Sequence, residues 1–213
     1  MRAPVPVPIA AAAVALLSGL LLSTPARGAS VLARTVVDLI QLSERIVVGT
    51  VLDVRDGFTD NQVPYTEITL RVDEALKGSA SKTYSFRQFG LLEPRAMPDG
   101  RVNLMRSPEG WPRFRPDEVV VLFLYKAGAQ TGLRTTVGLM QGKFNIDNGQ
   151  VQNAISNRGL FDGVHADEGL LSSAESKLLA ARSGPVDAEA FLSFVGNAVR
   201  NGWIERGRLR NAR

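Results

Sequence analysis

The side chains best suited to metal binding lie together in one short segment. His165, the only histidine, is within three residues of Asp162, Asp167 and Glu168. Carboxylate oxygens would suit calcium, but the glycine-containing loop spacing of an EF-hand is absent. Zinc sites of the familiar kinds need further His or Cys ligands, and the chain has no cysteine. We therefore interpret the segment as a solvated loop and expect neither a metal nor a cofactor.

Two stretches match known catalytic or phosphate-binding patterns only in part. Ser79-Ala-Ser-Lys82 has the Ser-x-x-Lys spacing of penicillin-recognising enzymes, but the partner motifs are missing and the stretch falls in a predicted hairpin loop. Gly138-Leu-Met-Gln-Gly-Lys143 resembles a phosphate-binding loop, but its glycines are one residue too close and Phe144 replaces the magnesium-binding hydroxyl. Neither stretch supports a catalytic assignment.

Carboxylate catalysis is the enzymatic alternative, because acids such as Asp117, Glu118 and Asp162 are available. A small secreted hydrolase would hold a buried pair of carboxylates in a cleft, whereas a binding protein would leave its acids scattered and facing solvent. The chain offers no Cys nucleophile and no serine in a Gly-x-Ser-x-Gly elbow. We therefore predict no catalytic residues and favour a protein that is not an enzyme.

Candidate binding residues lie in the long irregular stretch from Leu91 to Arg115. This stretch carries four prolines and ends in Trp111-Pro-Arg-Phe-Arg115. Aromatic side chains on a loop above a rigid sheet are typical of recognition surfaces. The predicted binding residues are Trp111, Arg113, Phe114 and Arg115. The alternative is that Trp111 and Phe114 pack beneath the loop as a small satellite core.

The element that must position this loop follows it directly. Seven apolar residues, Val119 to Tyr125, come after Glu118 without interruption. Their β-branched and aromatic character favours a strand, and Pro116-Asp117 and Gly128 supply turn signals at its two ends. The run is too short to span a membrane. We predict a central strand that is covered on both faces.

Alternating segments predict the other strands. The residues from Ile46 to Val54, from Tyr65 to Leu76 and from Lys82 to Phe89 form a predicted meander, and Gly49 marks a bulge or bend in the first strand. Leu133 to Leu139 is a further predicted strand. Asn148-Gly149 is a strong turn signal and predicts a hairpin.

Capping boxes predict where helices begin. Thr35 with Asp38, and Ser172 with Glu175, have the spacing at which two side chains close the free amide groups of a first turn. A third helix is predicted after Pro185, because apolar residues recur there at helical spacing. Its apolar face contains Phe191, Phe194, Val195 and Ala198, with Trp203 one turn further on.

The first 28 residues predict an export signal and not a folded element. Arg2 precedes an apolar run from Ile9 to Leu22, and the small residues Ala26 and Gly28 satisfy the cleavage rule. We predict cleavage after Gly28 and a secreted or periplasmic protein with no transmembrane segment once the signal is removed. An uncleaved anchor is the alternative.

The net charge of +4 is unevenly distributed. Five arginines and one acid follow Val199, whereas the stretch from Ala29 to Val199 is slightly acidic. Nucleic-acid binding needs basic charge clustered on a folded surface, so we predict no nucleic-acid partner. The arginine-rich end, 206–213, is predicted to be a disordered basic tail with a capacity to contact an anionic surface.

A resemblance to known proteins is carried by four stretches: Ile46 to Val51, Tyr65 to Gly78, Phe114 to Leu124 and Gly138 to Phe144. Together they resemble a set of secreted bacterial proteins of unknown function, whose layout is similar to netrin-like modules. These modules share an OB-type barrel with the tissue inhibitors of metalloproteinases, and the likeness covers about residues 35 to 153. Those inhibitors chelate the protease zinc through an N-terminal cysteine, which this chain lacks. The resemblance therefore implies the barrel, with a face and loops that bind a polymer or a protein.

The sequence thus predicts a mainly β (β+α) protein: an OB-like, closed or partly open antiparallel barrel of five to six strands with flanking helices. Residues 29–155 form the predicted barrel domain with its N-terminal helix, and 156–205 form a helical extension packed on it. The predicted function is an exported, non-catalytic binding or scaffold module that contacts a protein or polysaccharide of the cell envelope or exterior. The alternative is the secreted hydrolase with carboxylate catalysis.

Overall fold

Antiparallel strands dominate the protein, so the prediction of a mainly β fold is confirmed. The structure is a computed structural model that describes residues 33–97, 99–100 and 102–212. The predicted export signal, residues 1–28 with its cleavage point after Gly28, lies outside the described residues.

The helices and strands of the described chain are numbered here in chain order. The helices are α1 (Val36–Leu42), α2 (Ser173–Leu179) and α3 (Ala188–Arg200). The strands are β1 (Arg45–Phe58), β2 (Pro64–Lys77), β3 (Thr83–Phe89), β4 (Arg95–Ala96), β5 (Val102–Asn103), β6 (Val119–Leu124), β7 (Lys143–Asp147), β8 (Gln150–Asn153), β9 (Val164–Ala166), β10 (Val186–Asp187) and β11 (Leu209–Asn211).

Seven strands pair into one sheet in the order β10-β8-β7-β6-β1-β2-β3. The predicted meander is confirmed as β1, β2 and β3, and the register of β1 against β2 shifts at Gly49, where a side chain would collide with the Arg71 carbonyl. The sheet has more strands than the five or six predicted, because the short β10 adds to its edge. Among the described strands no ladder joins β3 to β10, so a closed barrel is not found.

The strand predicted over Leu133 to Leu139 is wrong in most of its length. An isolated bridge between Leu124 and Thr136 replaces a continuous ladder there. Single backbone hydrogen bonds attach the rest of the segment: Tyr125 amide to Thr135 carbonyl, Val137 amide to Phe123 carbonyl, and Arg134 amide to Arg87 carbonyl. Gly138 and Leu139 then take left-handed backbone angles, with φ of 64° and 58°, and a short 3-10 helix follows from Leu139 to Gly142. This backbone cannot continue a strand, because a strand requires extended angles.

The central strand β6 is buried on both faces, as predicted. Its residues alternate between two apolar clusters on opposite sides of the sheet. Val121 and Phe123 belong to the cluster that α3 covers, and the Phe123 ring lies 6.3 Å from that of Phe191. We call the other cluster the inner cluster; it consists of Val47, Val51, Ile68, Leu70, Phe86, Phe114, Val120, Leu122 and Leu124.

Both predicted capping boxes are present. The Thr35 hydroxyl accepts a hydrogen bond from the Asp38 amide, and Ser172 with Glu175 starts α2 in the same way. Glu175 also accepts hydrogen bonds from Ser193 and Asn197 on α3. Burial would raise the pKa of Glu175, but these hydrogen bonds together hold it below its ordinary value. In the described part of the chain, no helix is both long and apolar enough to cross a membrane.

The prediction of a disordered tail is wrong for its central residues. Leu209–Asn211 form β11, which pairs with β9 around His165, and Leu209 is fully buried. Two of the tail arginines, Arg208 and Arg210, form ion pairs with Asp167 at 3.6 and 2.9 Å. The tail is ordered because its one large apolar side chain enters the cluster beneath α3.

Candidate binding groove

The four predicted binding residues are brought to one surface, but their exposure differs. Arg113 and Arg115 are exposed, and Trp111 is half-buried. Phe114 is only 7% exposed and belongs to the inner cluster, with its ring edge-on to Phe86 at 5.8 Å. Phe114 thus fits the satellite-core alternative. Trp111 and the two arginines are the residues that a ligand can reach.

Hydrogen bonds fix the backbone that carries these side chains. The buried side-chain amide of Gln88 on β3 donates to the Pro112 carbonyl at 3.0 Å. The Met140 amide donates to the Gly110 carbonyl at 3.1 Å, so the segment is attached on its other side to the 3-10 helix. The Trp111 ring rests against Phe89 with a centroid distance of 6.4 Å. The segment is therefore anchored at both ends of the Trp111–Arg113 stretch.

A groove of about 630 Å³ opens beside this segment. Trp111, Pro112 and Arg113 form one wall. The polar face of the β7–β8 hairpin also lines the groove, together with Ala154 and Pro185. We call this space the first groove. An aromatic wall facing polar groups is a common composition of small-ligand and polymer sites.

The polar face of the hairpin results from strand alternation. Phe144 and Ile146 face the cluster under α3, so Lys143, Asn145 and Asp147 face the groove. On β8, Gln150 and Gln152 are opposite Asp147 and Asn145. This face carries four side-chain amides, and none of them hydrogen-bonds to another described residue. They belong to Asn145, Asn148, Gln150 and Gln152. These amides are free to donate to and accept from a ligand.

Sequence reasoning predicted this hairpin but not its role in a site. The available signal was the alternation itself, in which every second residue from Lys143 to Asp147 is polar and the polar set resumes at Gln150 and Gln152. Alternation alone also describes an ordinary solvated face. The hairpin becomes a candidate site only because the Trp111 segment, distant in sequence, lies across it.

A buried ion pair lies where the two sides of the groove meet. The Lys143 ammonium donates to the Glu118 carboxylate at 2.7 Å, and the two side chains are 9% and 21% exposed. The same ammonium lies 5.0 Å from the centre of the Phe114 ring. Burial lowers the pKa of Lys143, and the Arg115 charge adds to this effect while Glu118 opposes it. The pair joins the start of β6 to the start of β7.

A second, smaller groove of about 230 Å³ adjoins the same segment, and the two grooves share Pro112 and Arg113 in their linings. Its lining includes Arg115 and Gln88. The Gln88 Nε2 donates to Pro112, which fixes the orientation of the amide, and the buried Gln88 Oε1 has no hydrogen-bond partner within the described chain. We call this space the second groove. It has an unused acceptor in its lining.

The other chemically interesting residues are not brought together. Asp117 is exposed at a turn with φ of 69°, and Asp162 forms an exposed ion pair with Arg182 at 3.3 Å. His165 is exposed on β9. Across the residues that the structure describes, no group of three or more His, Asp or Glu side chains is placed to hold a metal ion.

Comparisons with protein-family models, with curated proteins and with solved structures gave no match. Any functional conclusion therefore depends on the geometry of the two grooves.

Proposed function

We propose that this protein is an exported, non-catalytic binding module that holds a polysaccharide of the cell envelope or exterior in the first groove. The observation that carries the proposal is that the half-buried Trp111 and four side-chain amides without hydrogen-bond partners in the described chain line the same groove. A sugar ring offers an apolar face for an aromatic side chain and hydroxyl groups around its edge for amides. The export signal predicted from Arg2 to Gly28 supports the location.

An OB-like curl of the sheet is part of this proposal. The Arg134 amide donates to the Arg87 carbonyl on β3 at 2.8 Å, and Thr136 bridges to Leu124 on β6. The segment between the two residues therefore links the β3 edge back to β6. The inner cluster draws its side chains from β1, β2, β3 and β6, which supports a partly open barrel around it. OB-type barrels use such rims to bind oligosaccharides.

The hydrolase alternative has less support. Carboxylate catalysis requires two acids at a common site with different protonation states. Asp147 is the acid that lines the first groove, and it is exposed. Glu118 accepts from Lys143, and Asp162 pairs with Arg182 on another part of the surface. Release of reducing ends from a bound polysaccharide by the purified protein would favour the hydrolase over the binding module.

A second candidate function, protein docking, has one specific observation in its favour. The β4–β5 hairpin and its flanks expose several large apolar side chains, which is unusual on a protein surface without a partner. Leu104 is 72% exposed, Val102 57% and Met105 50%. A protein of the envelope is the partner that would cover this hairpin.

The proposal is tested with Trp111→Ala. Native gels containing soluble polysaccharides should retard the purified protein, and we expect the variant to bind about tenfold or more weakly, because an aromatic anchor in a pocket contributes roughly 2 kcal/mol. Leu104→Ala is the matched control, since Leu104 lines neither groove. Tryptophan fluorescence gives a second readout, because Trp203 is only 6% exposed and Trp111 should produce the ligand response.

The two candidate functions give opposite results. Retardation that Leu104→Ala abolishes and Trp111→Ala preserves would contradict the polysaccharide site. Capture of an envelope protein through the hairpin, lost in Leu104→Asp alone, would then support docking.

A further inference from the structure

The charge in the second groove is not balanced by the protein itself. Arg106 lines this groove and pairs with Glu93 at 3.0 Å. Arg113 and Arg115 line it too, but neither guanidinium has a hydrogen bond or an ion pair with another described residue. Glu118, three residues after Arg115, is already engaged by Lys143. The groove therefore presents two unneutralised guanidinium groups.

The same groove also presents an unsatisfied acceptor. Gln88 is 2% exposed, and its Oε1 has no partner in the described chain while its Nε2 is held by Pro112. Buried acceptors are normally hydrogen-bonded, so a lone acceptor in a groove lining indicates a position for a donor. Gln88 Oε1 is itself covered, so the groups of the second groove that a ligand can reach are the two guanidinium groups. A ligand that fits the second groove should therefore bring an anionic group.

We propose that the ligand is an acidic polysaccharide whose sugar carboxylates bind Arg113 and Arg115. This inference rests on the proposed function and names the ligand class of the same site. Sugar rings would lie against Trp111 in the first groove, and the chain would pass Arg113, which lines both grooves, into the second. A guanidinium binds a carboxylate through two parallel hydrogen bonds, and each sugar ring of a polyuronic acid carries such a carboxylate.

The distribution of charged side chains in the two grooves predicts how the polymer is oriented. In the first groove the charge of Arg113 is accompanied by the carboxylate of Asp147 at the hairpin end. In the second groove the acid Glu93 is occupied by Arg106, so the unpaired positive charge is concentrated around Arg113 and Arg115. The acidic groups of the polymer should therefore lie at the Arg113–Arg115 side, and uncharged parts of it should lie over the amides of β8.

The test uses two polymers with the same sugar backbone. Calorimetric titration of the purified protein with polygalacturonate is compared with titration with its methyl ester, in which the carboxylates are neutral. We expect polygalacturonate to bind at least tenfold more tightly, and the difference to shrink as salt is added, because exposed charges are screened.

Variants assign the effect to the two arginines. Arg113→Gln combined with Arg115→Gln should reduce binding of polygalacturonate about tenfold or more. It should reduce binding of the methyl ester by a clearly smaller factor, because the ester has no charge to pair with the two guanidinium groups. Arg158→Gln combined with Arg206→Gln removes the same two charges from exposed arginines that line neither groove, and it should have little effect. Circular dichroism of each variant checks that the fold is retained.

The other possible results would contradict the acidic ligand, and one of them would also contradict the polysaccharide site. Equal binding of both polymers, reduced by Trp111→Ala, would retain the polysaccharide site but overturn the acidic ligand. Binding of neither polymer, together with retention of neutral polysaccharides in native gels, would also overturn it. Failure in both assays would remove the proposed function as well. An oligonucleotide that binds as tightly as polygalacturonate and depends on the same arginines would assign the groove to nucleic acid instead.

Discussion

At the scale of single residues, Glu67 links two arginines on the polar face of the meander. Arg87 donates to one of its carboxylate oxygens at 2.7 Å, and Arg55 donates to the other at 2.7 Å. The Arg87 guanidinium also lies 4.2 Å from the centre of the Tyr65 ring. The hydrogen bond from Arg87, with a further contribution from Arg55, holds the pKa of Glu67 below its ordinary value against the opposing effect of burial.

This lowered pKa makes a prediction about stability and pH. The folded state favours the ionised form of this carboxylate. Its contribution to the free energy of unfolding is therefore fully present above the unfolded pKa of about 4.3 and is lost as the pH falls through the lower folded pKa. Glu67→Gln should lower the Tm by about 2 °C at pH 7, and the effect is small because both arginines are largely exposed. The difference in Tm between wild type and variant should disappear at strongly acidic pH, where the carboxyl group is protonated. Thermal melts of both proteins across pH 2–7 measure it.

The control for this experiment is Asp53→Asn. Asp53 contacts the same Arg55 at 3.8 Å but is more exposed, so its removal should change the Tm by less than Glu67→Gln does. A gap between wild type and Glu67→Gln that is constant from pH 2 to 7 would show that the carboxylate charge is not what stabilises this cluster.

At the scale of elements, β6 carries the strongest prediction from the sequence. Leu122 lies in the inner cluster and Val121 in the cluster under α3, and both are fully buried. Lysine at either position would place an unpaired charge in an apolar layer, so we expect Leu122→Lys and Val121→Lys to abolish folding. Soluble yield and thermal melts by circular dichroism measure the effect.

The same strand provides the matched control. Val119 is 37% exposed at the start of β6, so Val119→Lys should be tolerated within about 0.5 kcal/mol. If Leu122→Lys reached the yield and Tm of the wild type, the view that β6 is the core of the domain would be wrong.

Elements with strong local signals were predictable. Three kinds of element can be recognised from a few consecutive residues, and the structure contains each of them: the two capping boxes, the Asn148-Gly149 hairpin and the apolar β6. Elements that depend on distant partners were not. β9 and β11 have three residues each and pair across more than forty residues of chain, and the break at Gly138 depends on backbone angles that no side-chain pattern specifies.

The candidate site also contains some residues that the sequence could predict and others that it could not. Trp111, Arg113 and Arg115 could be proposed from composition, because aromatic and arginine residues on a loop are typical of recognition surfaces. Phe114 could not be separated from them, since only the fold shows its ring among the inner cluster. The β7–β8 amides and Gln88 gain significance solely from the segment that lies across them.

At the scale of the whole molecule, the C-terminal strand ties the two ends of the described chain together. The Thr35 hydroxyl, which caps α1, donates to the Asn211 side chain at 2.7 Å. The Asn211 amide in turn donates to Asp38 at 2.9 Å. Leu209 adds a fully buried side chain, and its amide donates to the Trp203 carbonyl at 3.0 Å. The position of α1 therefore depends on residues at the opposite end of the sequence.

Deletion of residues 209–213 should consequently destabilise the protein and loosen α1. Loss of a buried Leu in a core typically costs about 2–5 kcal/mol, which corresponds to a fall in Tm of roughly 5–15 °C for a chain of this size. Hydrogen exchange should show faster opening of the Val36–Leu42 amides, because the cap at Thr35 loses its partner. Arg210→Ala, which removes an exposed ion pair with Asp167 and an exposed hydrogen bond to the Gly207 carbonyl, should leave both measurements nearly unchanged. An unaltered Tm and unaltered exchange in the deletion variant would restore the sequence-based prediction of a tail that does not belong to the fold.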